Sequence, residues 1–239
     1  MASGHRRVIY QNNPLVEVSC SVEFEPMLEL ELSPVDFQRE VRTDFPLYKR
    51  EVEPDGIEHF FYSSDGTGRV ILTRDGLMFS TTTYERWEEF IPLWSRLVSA
   101  LVGCYGVEVF SCLKLRYVDV IDRAELGLSQ CPWSELLEAP FLGLAGQYDV
   151  SSWLHRVMLR FHDTGCVAYM EFGLIWSEDD PSERFVLDVE HVYPNSFETS
   201  ERRDVEERLR VHTSRVFSSA LTDKTRDALR PEPLDSVGG

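Results

Sequence analysis

The residues best suited to chemistry sit in one β-type run at the middle of the chain, Val107 to Arg123 (VEVFSCLKLRYVDVIDR). It holds Lys114, Arg116, Asp119, Asp122 and Arg123 among β-branched and apolar neighbours. Strand alternation puts Lys114, Arg116, Val118, Val120 and Asp122 on one face, and Leu113, Leu115, Tyr117, Asp119, Ile121 and Arg123 on the other. A charge inside an apolar strand is costly unless it is paired. Arg116 therefore needs an acid or a ligand. Asp188, in a later strand, would serve as the acid of a sheet-crossing ion pair. In the functional alternative, the planar donor fork of Arg116 binds an anion or a backbone, with Asp122 and Arg123 shaping the pocket mouth. With His155 added from another strand, the candidate binding set is Arg116, Asp122, Arg123, His155 and Asp188, and no residue is assigned a catalytic role.

Other chemistries lack their residue patterns. Asp119 and Asp122 offer oxygen ligands of the kind Mg²⁺ takes, but an odd spacing on a strand sends them to opposite faces. The six histidines have no zinc-like spacing, and His155 and His162 also face apart. Asp65-Gly66-Thr67-Gly68 lacks the lysine of a phosphate loop and reads as a tight turn. No nucleophile elbow or Cys/His signature is present. Neither a metal nor a cofactor is expected. The run Glu85, Glu88, Glu89 reads as a solvated helix start that complements the dipole.

Composition narrows the partners. The net charge of -17, from 41 acidic against 24 basic residues, repels phosphate and disfavours general nucleic-acid binding. A protein partner or a small ligand remains. No apolar run reaches the roughly 20 residues that span a bilayer, and MASGHRRVIYQNN lacks the apolar core of a signal peptide. Five cysteines, odd in number and never spaced as CxxC, fit buried thiols in a reduced compartment. A cytoplasmic location is expected, with the oligomeric state open.

The elements that must position these residues follow from periodicity. Val16, Val18, Cys20, Val22 and Phe24 alternate with polar residues as a half-buried strand. Ser33-Pro34 predicts a helix start, with Phe37 and Val41 on its apolar stripe and Pro46 beyond its end. Strands are expected over Leu47–Glu53, Glu58–Ser63, Arg69–Thr73 and Leu77–Thr82, the last two joined by a hairpin at Asp75-Gly76. Thr82 and Glu85 predict a capping box. The long helix it opens carries Trp87, Phe90, Ile91, Trp94, Leu97, Val98 and Leu101 on one face, has Pro92 inside it as a kink or restart, and ends at Gly103 to Gly106. After Arg123, a short helix opens at Cys131-Pro132. A short strand is expected near Gln147–Val150, followed by strands at Trp153–Phe161, Cys166–Trp176 and Arg184–Val192. Helices over roughly Glu201–Leu221 and Asp223–Leu229 complete the chain.

Residues 1–106 and 107–230 thus share one order: strand, short helix, several antiparallel strands, long helix. The expected fold is α+β, with two similar halves forming one curved antiparallel sheet and the long helices on one side. The order is that of helix-grip and TATA-binding-protein repeats, an analogy that carries no function. A site is expected on the concave sheet face or at the seam between the halves. Residues 231–239 read as a flexible tail whose Gly238-Gly239 end is like that of conjugated modifiers by accident.

The stretches YQNNPLVEVSCSVEF, LTRDGLMFSTTTYERWEEF, LKLRYVDVIDR and VEERLRVHTSRVF, in this order, resemble a sporadically distributed family of uncharacterised bacterial proteins of similar length. The resemblance runs from Tyr10 to Leu229. That family often shows Asn-Arg where this chain has Asp119-Val120. The resemblance implies a bacterial, intracellular, patchily inherited protein, as mobile and defence-associated genes are, and it supplies no activity. The expectation is a non-catalytic binding or regulatory protein, accessory to a defence or toxin-type system. The alternatives are an enzyme acting on nucleotides or nucleic acid, which requires Arg116, Asp122, Asp188 and His155 in one pocket, and a structural subunit of an oligomer.

Overall fold

Alternation in the first strand decides which side of the sheet is covered. The computed structural model describes residues 8–54, 56–146, 148, 150, 152–176 and 183–233. A short strand β1 (Val8–Tyr10) precedes β2 (Leu15–Glu23), whose Val18, Cys20 and Val22 are fully buried while Glu17 and Glu23 are not. Two short helices, α1 (Leu28–Leu32) and α2 (Val35–Val41), lead into a meander of β3 (Leu47–Glu53), β4 (Gly56–Tyr62), β5 (Gly68–Leu72) and β6 (Gly76–Thr81). Helix α3 (Trp87–Tyr105) closes the first half, and Gly106 at φ 67° supplies the left-handed turn that ends it.

The second half repeats the order. After β7 (Val109–Phe110) come β8 (Cys112–Asp122), a 3-10 turn at Trp133–Glu135 and α4 (Ala139–Leu142). Strands β9 (Trp153–Phe161), β10 (Cys166–Ile175) and β11 (Arg184–Tyr193) follow. Then β12 (Phe197–Glu198), α5 (Arg202–Ala220), α6 (Asp223–Ala228) and β13 (Pro231–Pro233) finish the described chain.

Nine strands form one sheet in the order β3-β4-β5-β6-β2-β8-β11-β10-β9, antiparallel at every pairing. The opening strands of the two halves, β2 and β8, pair at the centre, and each meander returns to its own opening strand. Helices pack on one side only. Under them lie two apolar clusters: one around Phe37, Phe61, Trp94 and Leu115, the other around Phe172, Phe185, Leu136 and Leu187. Helix α5 spans both, with Val205 and Leu209 in the first and Val216 and Ala220 in the second.

Several local expectations are corrected. The second helix starts one residue late, with Pro34 rather than Ser33 at its N-cap, and α1 precedes it. No capping box forms at Thr82 and Glu85: α3 begins after an extended Arg86 that makes no side-chain cap. Pro92 lies within a continuous α3, because at its sixth position only one intrahelical donor is lost. The β5–β6 hairpin forms, but its two loop residues are Arg74 and Asp75, flanked by the Thr73 N–H donating to the Gly76 carbonyl, and neither has positive φ. The Cys131-Pro132 segment makes a 3-10 turn, too short for the expected helix. Tyr148 and Val150 are not in a strand, and Gln147 and Asp149 lie outside the described residues. The expected tail is partly fixed: Pro231–Pro233 pairs with Val8–Tyr10, while Gly238-Gly239 lie outside the described residues.

At Gly173 edge strand β9 runs so close to β10 that a Cβ would lie 1.9 Å from the carbonyl oxygen of Trp153. Backbone cannot rotate away as a side chain can. We expect Gly173→Ala to displace β9 and destabilise the fold by about 3 kcal/mol or more. A urea unfolding midpoint within experimental error of wild type would contradict this.

Candidate functional site

Of the five sequence candidates, the structure brings two together. Arg116 Nε donates to Asp188 Oδ1 at 2.7 Å, and its second nitrogen bonds Oδ2, closing a planar fork across β8 and β11 on the uncovered face. Hydrogen bonding to Asp188 holds the guanidinium more firmly protonated than usual. Arg116 thus has its acid, which satisfies its charge without a ligand. The pair borders an open recess of about 430 Å³ with Arg156, Glu171, Tyr169 and Met158, and Arg156 is itself bonded to Glu171.

The other three serve elsewhere. Asp122 lies six residues along β8, about 20 Å from Arg116. Its Oδ1 accepts from the Ala124 N–H at 2.8 Å and its Oδ2 from Arg184 Nε at 3.0 Å, bonds that outweigh desolvation and keep its carboxyl below the usual range. Arg123 donates to the Cys131 carbonyl at 3.0 Å and to Glu183 at 2.7 Å, with its guanidinium 4.7 Å over the Trp133 ring. His155 is exposed on the opposite face of the sheet, stacked 5.5 Å from Phe172. Arg116, Asp122, Asp188 and His155 do not share a pocket, so the arrangement that a nucleotide- or nucleic-acid-directed enzyme would need is not built from them.

Asp119, weighed in the sequence only as a Mg²⁺ ligand beside Asp122, is the group outside the candidate binding set that the structure brings forward. It occupies the helix-facing phase of β8, between the Tyr117 and Ile121 that belong to the two apolar clusters. Its cross-strand neighbours are Leu15 on β2 and Leu187 on β11. The residue is 7% exposed, and among the described residues no hydrogen bond or ion pair reaches its carboxylate. Burial alone pushes its carboxyl up to about 8. Beside it the β2–β8 register shifts between Leu15 and Glu17, a bulge at Val16 that turns the preceding chain over the helix side.

Asp119 lies on a cavity of about 230 Å³ at the seam between the halves. One wall is the strap before β2. Val120 N–H donates to the Pro14 carbonyl at 2.8 Å, Gln11 and Asn12 N–H groups donate to Arg230 and Leu229, and Tyr10 packs on Phe217 of α5 at 5.6 Å. Asn13 Nδ2 ties the strap to the Tyr84 carbonyl at 3.1 Å. The start of α3 and the middle of α5 form the other walls, bridged where Arg210 lies 5.9 Å over the Trp87 ring. Tyr84 and Tyr117 meet edge-on at 5.9 Å beside the floor.

A second buried polar feature lies where β11 meets α5. His191 is fully buried with both ring nitrogens unpartnered among the described residues, and burial, then the nearby His212, holds its ring down at about 4. His212 stacks on Phe161 at 3.9 Å, and its Nε2 lies 2.8 Å from the Thr164 hydroxyl. His191 and His212 line neither the recess beside Arg116 nor the seam cavity, and no group of His, Cys, Asp and Glu among the described residues is arranged to hold a metal. No helix among the described residues is long and apolar enough to cross a membrane. No protein-family model matches the sequence, and no curated protein is similar to it.

Proposed function

We propose that this chain is a non-catalytic binding or regulatory protein whose ligand is a small molecule held in the seam cavity. One observation carries the reading: a carboxylate occupies a core position at the meeting of the two halves, without a partner among the described residues, on the floor of a cavity. A lone buried carboxyl destabilises the fold, and an apolar side chain in its place would not. A buried titratable group with a strongly perturbed pKa that lies on a cavity is a candidate for a functional site. The cavity walls come from both halves and from the strap, so occupancy would bias how the halves sit together. That suits a regulator.

The motif resemblance supports an accessory role in a bacterial defence or toxin-type system, acting in the cytoplasm. The mirrored strand order on either side of β2 and β8 supports an origin by duplication. A protein partner on the uncovered sheet face is the second reading, favoured by Met158 and Tyr169, which are 45% and 51% exposed and directly opposite one another.

The test is native mass spectrometry of the protein purified from its own cells, with melting temperatures measured against fractions of cell extract. A bound small mass or a fraction-dependent rise in melting temperature is expected. Both should disappear when Ser214→Phe fills the cavity between α5 and the strap. The absence of any bound mass and any shift, with a partner protein captured only through Met158 and Tyr169, would replace this reading with the second.

A further inference from the structure

We propose that the seam cavity binds a small organic cation, an ammonium or amidinium group on an apolar body, with its N–H donors on the Asp119 carboxylate and its body among the surrounding rings. The inference rests on the cavity being a ligand site and names the chemistry the site lacks.

Charge complementarity selects the class. Among the described residues two arginines line the cavity, and both are already paired: Arg210 bonds Glu207 through two nitrogens, and Arg86 Nε bonds Glu89. Asp119 has no such partner among the described residues. With Glu85 and Glu88 also on the lining, an anionic ligand would meet carboxylates and, among the described residues, no uncommitted cation. A cation with N–H donors supplies the charge and the hydrogen bonds that the Asp119 oxygens lack.

The walls suit such a ligand. Tyr10, Tyr84, Trp87, Tyr117 and Phe217 give an aromatic surround, which attracts cations through the negative faces of the rings. The volume of about 230 Å³ lies below that of sites for drug-sized molecules, so the ligand is small.

Binding is linked to protons. Below about pH 8 the Asp119 carboxyl is protonated, and a cation that pairs with it must displace that proton. The other titratable or charged groups among the described residues that line the cavity with Asp119 are Tyr10 on the strap, Tyr84, Glu85 and Arg86 before α3, Glu88 on α3, Arg210 on α5 and Tyr117 on β8 itself.

The experiment is calorimetric titration of the full chain with benzamidine and phenethylamine, beside their neutral isosteres benzamide and 2-phenylethanol, at about pH 9 and about pH 6. At the higher pH the two cations are expected to bind, and the neutral pair to bind about tenfold more weakly or worse. At the lower pH, cation binding should weaken and release up to about one proton, read from buffers of different ionisation enthalpy. Asp119→Asn should abolish both the preference and the proton release. Neutral isosteres binding wild type as tightly as the cations would overturn the cation class and leave the cavity's binding role standing. Cations binding wild type and Asp119→Asn equally, or binding neither at millimolar concentration, would overturn the inference. Loss of the cell-derived ligand and its melting shift as well would overturn the binding role with it.

Discussion

Asp119→Asn melts higher than wild type at about pH 8, and the two converge at about pH 4. In the folded chain burial pushes the Asp119 carboxyl up to about 8, against an ordinary value of 3.8. A folded value above the unfolded one means the folded chain holds a proton that the unfolded chain gives up. The contribution of this group is therefore fully present below about pH 4 and is lost as pH rises through about 8. By pH 8 the loss is about 5 kcal/mol from the shift alone, an upper figure once water entry and relaxation lower the cost of burial. Asparagine has nearly the same shape and no proton to lose. We expect it to gain about 3–5 kcal/mol over wild type at pH 8, or about 10 °C in melting temperature. At pH 4 the difference should be under about 1 kcal/mol, since both side chains are then neutral hydrogen-bonding groups. Urea unfolding at pH 4, 6 and 8 measures this directly. Parallel pH profiles for the two proteins would show that Asp119 is not the group that titrates. The same substitution is expected to cost ligand binding, so stability and function move in opposite directions.

This conflict was visible in the sequence to a point. The phase of Leu113, Leu115, Tyr117 and Ile121 already put Asp119 on the apolar face of its strand, where an acid is costly. Arg116, an equal charge of opposite sign on the other face, is the more prominent candidate in the sequence because its planar fork offers several donors. The structure gives Arg116 its fork on Asp188, the partner its strand position suggested, so its charge is satisfied within the sheet. Whether Asp119 has a partner depends on what α3, α5 and the strap bring over it, and those contacts join residues from 33 apart, as at Tyr84 and Tyr117, to 106 apart, as at Pro14 and Val120. No local pattern encodes them.

The α+β class, the sheet and the single helical side were legible because period two and period three-to-four are local properties of β2 and α3. The pairing of β2 with β8 was not, since it joins the two halves at residues such as Cys20 and Leu115. Capping was misjudged where a motif of four residues had to compete with an extended approach to the helix, as at Thr82 to Arg86. The strap escaped notice altogether: Val8–Tyr10 is too short for periodicity, and its anchors are carbonyls of Leu229 and Arg230 at the far end of the chain.

The largest loss of stability is expected from Glu206→Ala. Glu206 and Arg202 of α5 are 2% and 7% exposed, and Trp94 of α3 is fully buried against them. Trp94 Nε1 donates to Glu206 Oε1 at 2.6 Å, and Arg202 donates to the same oxygen at 2.5 Å. A second Arg202 nitrogen reaches the Ser95 hydroxyl at 3.3 Å, so the three side chains clamp α3 to α5. Burial pulls the Glu206 carboxyl upward, against Arg202 and Trp94, which favour its charge. Removing the acid leaves a buried guanidinium without its counter-charge and a buried indole N–H without an acceptor. The cost should be about 3–5 kcal/mol. Glu206→Gln keeps an acceptor for Trp94 while losing the charge, and should cost about half as much. Trp94→Phe keeps the ion pair, so its loss reports packing and the indole bond alone. Urea unfolding of the three variants separates these contributions, and a Glu206→Ala protein no weaker than Glu206→Gln would show that the ion pair does not hold the helices. The clamp also bears on the cavity. Glu206 lies one turn before Arg210 on α5, and Trp94 two turns after Trp87 on α3, and it is Arg210 over Trp87 that bridges the two helices beside Asp119. A chain that loses the clamp should therefore bind its seam ligand more weakly even where it remains folded, because the walls that hold the ligand are the helices the clamp holds together.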